Sequence, residues 1–82
     1  MNRYSTTFMA KCPVNDKVIL FALSIETPGR ILVEAILEAV DALPMAGFHE
    51  DIADTLARAL PGRHTLTAHH HGVDIETVRG GA

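Results

Sequence analysis

The segment from Thr27 to Leu43 constrains the fold more than any other stretch, because it is apolar around most of a helical wheel. At about 100° per residue, its charged side chains fall within one arc of about 80°: Arg30, Glu34, Glu38 and Asp41. A helix that packs on one sheet needs an apolar stripe of only about 100°. The segment therefore predicts a helix that is covered on two or three sides.

Length and composition restrict the protein to a few classes. The 82 residues suit a single domain, and a hydrophobic content of 48% is enough for a core. The basic residues are scattered and the net charge is −3, so we do not expect nucleic acid as a partner. Cys12 is the single cysteine, which excludes an internal disulfide and fits a reducing compartment. With no secretory signal pattern and no apolar run of about 18 residues, we expect a cytoplasmic protein without membrane contact.

The first third of the chain predicts a β-hairpin. Residues 3–12 alternate in a strand pattern, residues 13–16 have turn composition, and residues 17–26 form a second strand. A strand with one wet face should alternate cleanly between apolar and polar residues. The second strand does not alternate in this way, because the side opposite its core-facing residues is also apolar. That side carries Val18, Leu20 and Ala22. We therefore expect the outer face of this sheet to be covered.

Two helices are predicted next. Thr27 followed by Pro28 reads as an N-cap and a first helical residue, so the first helix is predicted over 28–43, ending before Pro44. The connection that follows is short, which favours an antiparallel helix pair. The second helix is predicted over 49–60 and has a conventional amphipathic wheel.

Strand patterns return at 63–71 and 73–79, and His71-Gly72 predicts a tight turn between them. One long strand bent at Gly72 is the alternative, and 80–82 are expected to be a loose tail. Residues 1–82 thus predict one α+β domain of order β-β-α-α-β(-β), an antiparallel sheet packed on an antiparallel pair of helices. The predicted core contains Phe8, Ile19, Phe21, Leu23, Leu32, Ile36, Ala39, Ile52, Leu56 and Leu66.

A histidine-rich tract provides a candidate metal site. His69 and His71 are two apart on a strand, and a turn at His71-Gly72 would place Asp74 opposite His69. Two histidines and a carboxylate suit zinc or non-haem iron, so a divalent metal is the one cofactor to consider. The alternative is a set of polar residues on the wet face of an edge hairpin.

Two further residues have chemistry that needs an explanation. Cys12 lies at a strand end, and we expect a buried structural cysteine rather than a nucleophile. His49 lies at the start of the second helix on its apolar side. There we expect it to cap the helix or pack over the loop rather than to act as a proton switch.

The order β-β-α-α-β-β, with Ile75-Glu76-Thr77 near a late strand, resembles that of the tunnelling-fold enzymes of pterin and purine chemistry. In that family such units associate, and a glutamate anchors the heterocycle. The resemblance implies Glu76 as a ligand anchor. The chain is shorter than those units, and the family's metal histidines have no assigned counterpart in it.

The apolar surface exceeds what a monomer of this kind should expose. The surplus side chains lie on the first helix and on the outer face of the second strand: Val33, Leu37, Val40, Val18 and Leu20. We expect a homo-oligomer, most simply a C2 dimer, acting as a non-catalytic protein-interaction, regulatory or inhibitory module. The alternative is a small metal- or heterocycle-binding enzyme that uses the hairpin of His69, His71, Asp74 and Glu76.

Overall fold

The computed structural model describes residues 1–81 and confirms the predicted α+β fold. A four-stranded antiparallel sheet, whose strands are neighbours in the order of the chain, packs against two helices on one face. The elements are β1 (Asn2–Lys11), β2 (Val18–Thr27), α1 (Val33–Asp41), α2 (His49–Ala59), β3 (Arg63–His70) and β4 (Val73–Arg79). Neither helix in this part of the chain is long and apolar enough to cross a membrane.

The predicted second hairpin is confirmed. His70 pairs with Val73, and the turn residues His71 and Gly72 have φ of 53° and 84°. Positive φ at both central residues is the requirement of a type I′ turn, whose twist matches that of the flanking strands. β3 therefore ends at His70 rather than His71, and the alternative of one bent strand is wrong.

The core lies between the inner face of the sheet and α2. Alternation along β2 buries every second side chain, from Ile19 to Ile25, and α2 adds Ile52 and Leu56. α1 contributes Ile36, while Phe8 and Ala39 are partly buried against the same cluster. The prediction of Leu32 as core is wrong, because its side chain is 63% exposed.

The predicted start of the first helix is also wrong. Thr27 is the last residue of β2, where it pairs with Asn2, and its Oγ1 accepts a hydrogen bond from Gly29 N–H at 3.2 Å. That turn and an extended stretch carry the chain from the sheet to the helical layer. The N–H of Ile31, which is buried in the core, donates to the Tyr4 hydroxyl at 3.1 Å on the way. The helix forms only from Val33 and stops at Asp41, so nearly half of the predicted helical wheel is not helical.

The remaining boundaries differ from the predictions by one residue or agree with them. β1 and β2 are displaced by one residue, in opposite directions, because they pair from Asn2 with Thr27 to Lys11 with Val18. α2 ends at Ala59 rather than 60, and β4 has its predicted bounds. In the tail, an added Cβ at Gly80 would lie 2.5 Å from the Gly62 carbonyl oxygen. The tail therefore runs close beside the start of β3, while the predicted loose residue 82 lies outside the described residues.

Candidate functional site

The residues predicted to form an interface lie on two separate surfaces. Val18 and Leu20 are 60% and 59% exposed on the outer face of the sheet, which points away from the helices. Val33 and Leu37 are 55% and 50% exposed on α1, in the opposite layer. Val40 is half-buried and packs against the core, so it is not surplus surface. One flat interface cannot include both groups.

The outer face of the sheet has an apolar corner. Met9 pairs with Leu20, Lys11 pairs with Val18, and Met45 lies beside them in a depression on the surface. Met9 is 70% exposed and Met45 79% exposed. Towards the middle, the side chains are short: Ser5, Thr7, Ala22, Ser24, Thr65 and Thr67. Short side chains leave a shallow surface that a second flat surface can approach closely.

Charge on this outer face is divided between its two edges. β1 carries Arg3 and Lys11, whereas β4 carries Asp74 and Glu76. On the β1 edge, Arg3 forms an ion pair with Glu26 of β2 at 3.3 Å, and Lys11 forms one with Asp16 of the β1–β2 turn at 3.8 Å. One edge of the face is therefore basic and the other acidic.

The structure brings together two of the three predicted metal ligands. His69 Nδ1 lies 2.7 Å from Asp74 Oδ1 across the β3–β4 pair. His71 lies in the turn, where its ring is 4.5 Å from that of His70 and its Nε2 contacts Asn15. Partial desolvation, with smaller contributions from His70 and Lys17, lowers the pKa of His71. Among residues 1–81, no three His, Cys, Asp or Glu side chains are arranged to hold a metal ion.

Glu76, the implied heterocycle anchor, is exposed on the outer face opposite Thr67. It borders a shallow open depression with Leu20, Ala22 and His69. In the part of the chain that the structure describes, this depression has no Phe, Tyr or Trp ring in its lining, and His69 is its one aromatic side chain.

Sequence reasoning missed a second candidate site, a cavity of about 230 Å³ between the sheet and the start of α2. Its floor consists of buried side chains of β2 and β3, among them Ile19, Phe21 and Ala68. Phe48 and Glu50, both exposed, stand at its mouth. The backbone of the α1–α2 connection closes one side by pairing with β1, where Lys11 N–H donates to Met45 O at 2.7 Å.

His49 is the buried polar group of this cavity. Its Nε2 donates a hydrogen bond to the Leu66 carbonyl oxygen at 3.0 Å, and its ring lies 5.5 Å from that of Phe21. Its Nδ1 has no hydrogen-bond partner among residues 1–81. Burial lowers the pKa of His49, so the imidazole is neutral near pH 7 and Nδ1 is an acceptor.

Cys12 and His70 complete the polar lining. Cys12 is 5% exposed and unpaired, in line with the expected buried cysteine. The Nε2 of His70 is buried and has no partner in the described part of the chain. Alternation along β3 provided a signal for this residue, because His70 shares the inner face with Leu66 and Ala68. The sequence places His49 at the helix start, but no pattern in it predicts a cavity beside this residue.

Comparisons with protein-family models, curated proteins and solved structures gave no match.

Proposed function

We propose that this chain is a non-catalytic protein-interaction module that works as a homodimer, joined through the outer face of its sheet. The observation that supports this proposal is the uncovered face itself. Four strands expose on one side an apolar corner of Met9, Val18 and Leu20 that the chain's own helices do not cover. Monomers rarely leave large apolar patches exposed, and small domains commonly gain stability by association.

The size of the face suits a dimer. Four strands about 4.8 Å apart, with about eight paired residues each at about 3.4 Å per residue, present roughly 500 Å². Two such faces together bury roughly 1,000 Å², without the extra area that protruding side chains add. This total reaches the minimum buried area expected of a specific interface. Stacked sheets also keep their strands within about 30° of each other, so two copies can align along the strand direction.

Charge favours one of the two symmetric arrangements. A two-fold axis parallel to the strands places β1 of one copy over β4 of the other, so Lys11 and Arg3 face the edge that carries Asp74 and Glu76. The same axis places the apolar corner of each copy over the His69–Asp74 pair of the other. An axis perpendicular to the strands places β1 over β1 and brings the basic residues together. Like charges across an interface are unfavourable, so the parallel axis is the arrangement that we propose.

This dimer leaves the helical layers on its two outer sides. The apolar side of α1, with Val33 and Leu37 half-exposed, is then available on both sides for a further protein partner. The buried, unpaired Cys12 suits a reducing compartment, and we place the dimer in the cytoplasm.

A pair of matched variants tests the proposal. Leu20→Glu puts a charge into the sheet face, whereas Leu37→Glu puts the same charge on α1, at a similarly exposed position. We expect native mass spectrometry and sedimentation to show a wild-type dimer, a monomeric Leu20→Glu variant and a dimeric Leu37→Glu variant, because a buried unpaired charge is costly. A monomeric wild type, or a dimer lost with Leu37→Glu alone, would contradict the sheet-face dimer.

A further inference from the structure

The outer edge of β1 is open over most of its length. At one end of this edge, Lys11 N–H donates to Met45 O at 2.7 Å and Gly47 N–H donates to Lys11 O at 3.2 Å, so both backbone groups of Lys11 point away from β2. Because the β1–β2 register is continuous, every second residue back along the strand points the same way. These residues are Arg3, Ser5, Thr7 and Met9. Among residues 1–81, no hydrogen bond reaches their outward N–H and C=O groups.

The opposite edge of the sheet, on β4, is protected against strand addition. The pair that closes a two-residue turn shares hydrogen bonds, so alternation leaves the backbone groups of Asp74, Glu76 and Val78 pointing outward. Two of these residues are charged, and the Val78 carbonyl oxygen accepts a hydrogen bond from Arg79 Nη1 at 3.0 Å. Charged side chains on an edge strand are a common means of preventing unwanted pairing. The middle of the β1 edge, in contrast, carries only short uncharged side chains.

A groove runs beside the open β1 edge on the helical side of the sheet. It has a volume of about 300 Å³, and Tyr4 and Thr6 of β1 line it together with α1. The side chains from α1 include Val33 and Leu37, which are 55% and 50% exposed. A strand paired with β1 directs every second side chain to this side of the sheet. The β1–α1 groove therefore lies where the apolar side chains of an added strand would pack.

We infer that the open β1 edge and the β1–α1 groove together bind an extended segment of another protein by strand addition. Main-chain hydrogen bonds to Ser5 and Thr7 hold the segment, and its alternate apolar side chains fill the groove. The inference rests on the proposed role in protein interaction but not on the homodimer. The β1 edge lies beside the outer face of the sheet rather than on it, so it stays free in the proposed dimer.

The charge of α1 favours a basic segment. On the helical wheel, an acidic row borders the stripe of Val33 and Leu37 on the side away from the buried Ile36. This row consists of three exposed residues: Glu34, Glu38 and Asp41. Among residues 1–81, none of their carboxylates forms an ion pair. A segment with lysine or arginine next to its apolar residues complements this row.

A peptide of alternating valine and threonine with a lysine at each end is the probe. Titrated into the ¹⁵N-labelled full chain, it should bind saturably and shift the amide signals of β1 and α1. By hydrogen exchange, the Ser5 and Thr7 amides should exchange rapidly in the free protein and about tenfold or more slowly with peptide. The Tyr4 and Thr6 amides bond to β2 and should be slow in both states. If Ser5 and Thr7 are slow without peptide, a second copy already pairs with this edge, and the inference is overturned.

Methylation of the peptide backbone distinguishes strand addition from apolar contact alone. One peptide carries N-methyl groups on its valines and the other on its threonines, and alternate residues direct their N–H groups to opposite edges of a strand. One peptide should therefore lose affinity by about tenfold or more while the other keeps it. Equal binding of the two would overturn the inference. Glutamate in place of both lysines should weaken binding about fivefold at low salt, and unchanged binding would overturn the choice of a basic segment.

Two matched proline variants locate the site on the protein. Ser5→Pro and Glu76→Pro each remove one outward N–H from an edge strand and no hydrogen bond of the sheet. Ser5→Pro should weaken peptide binding about tenfold or more, because the ring also blocks the approach of the peptide backbone. Glu76→Pro should leave binding unchanged. Wild-type affinity in Ser5→Pro would overturn the site.

A second pair of variants keeps the test decisive if Ser5→Pro fails to fold. Leu37→Ser removes apolar surface from the groove and should weaken peptide binding about fivefold. Val73→Ser, at a similarly exposed position beside β4, should not change it. Equal affinities of these two variants would overturn the groove. Native mass spectrometry of the same samples reports the dimer separately, so loss of peptide binding is distinguished from loss of the dimer.

Discussion

His49 Nε2 lies 3.0 Å from the carbonyl oxygen of Leu66, which ties the first residue of α2 to the middle of β3. Both residues are buried, at 6% and 1% exposure. Burial is the largest influence on the pKa of His49 and lowers it. The hydrogen bond to Leu66 and the charge of Glu50 act in the opposite direction, and Arg79 adds to the lowering.

This lowered pKa predicts a loss of stability in mild acid. Below about pH 6.5, the ordinary value, the unfolded chain binds a proton at His49 that the folded chain resists. The free energy of unfolding should therefore be highest above about pH 6.5 and fall as the pH drops towards the folded-state pKa. One such histidine changes the free energy of unfolding by at most about 1.4 kcal/mol per pH unit, which is the slope to be measured.

Urea unfolding at fixed protein concentration, between about pH 7.5 and pH 5.5, measures this slope. His49→Phe serves as the reference, because it removes the titrating group and keeps a ring in the core. The slope should be smaller in the variant than in wild type. Equal slopes would mean that His49 takes up its proton equally well in the folded chain.

Leu32 is the N-cap of α1, and its side chain cannot accept a hydrogen bond from the first helical N–H groups. Leu32→Ser should raise the free energy of unfolding by about 1 kcal/mol, because a serine oxygen can bond to the N–H of the second or third helical residue. Leu32 is 63% exposed, so little burial is lost. Leu32→Ala is the control. If alanine stabilises the fold as much as serine does in thermal and urea unfolding, removal of exposed apolar surface rather than capping is responsible.

The elements that alternate with period two could be predicted from the sequence. The alternation from Ile19 to Ile25 fixes which face of β2 is buried. The pair His71-Gly72 specifies the turn between β3 and β4, because that turn needs positive φ at both residues. The start of α1 could not be predicted in this way. Thr27-Pro28 is a good helix cap locally, but the pairing of Thr27 with Asn2 extends β2 to Thr27 instead. Tertiary pairing decided between two acceptable local structures.

The cavity could not be predicted for a different reason. Its walls come from β2, β3, β4, the β1–β2 turn, the α1–α2 connection and the start of α2, and its volume depends on how far α2 stands from the sheet. Periodicity places His49 and His70 on inner faces, but it does not report an unfilled space between them. The same alternation groups His69 with His71 as metal ligands, but the turn at His71 interrupts the strand.

The turn itself gives a third prediction. His71 has φ of 53°, which asparagine tolerates better than histidine, and Asn-Gly is the strongest type I′ pair. His71→Asn should therefore raise the free energy of unfolding by a few tenths of a kcal/mol, whereas His71→Val, a β-branched residue at positive φ, should lower it by about 1–2 kcal/mol. Thermal unfolding of the three proteins measures both effects. If valine were tolerated as well as asparagine, the turn would not have this backbone conformation in solution.

The division of charge between β1 and β4 predicts how the proposed dimer responds to charge reversal. In the proposed arrangement each interface contains two Lys11–Asp74 contacts, since the two-fold axis repeats every contact. Lys11→Glu and Asp74→Lys should each raise the dimer dissociation constant about fivefold to thirtyfold, and the double variant should restore it towards wild type. Arg30→Glu, an equal change of charge in the exposed β2–α1 connection, is the matched control and should have little effect. Sedimentation at low salt and at about 0.5 M salt measures these constants, and the effects should shrink at high salt because exposed pairs are screened. If the two single reversals weaken the dimer and the double variant weakens it further, β1 does not lie over β4 of the second copy.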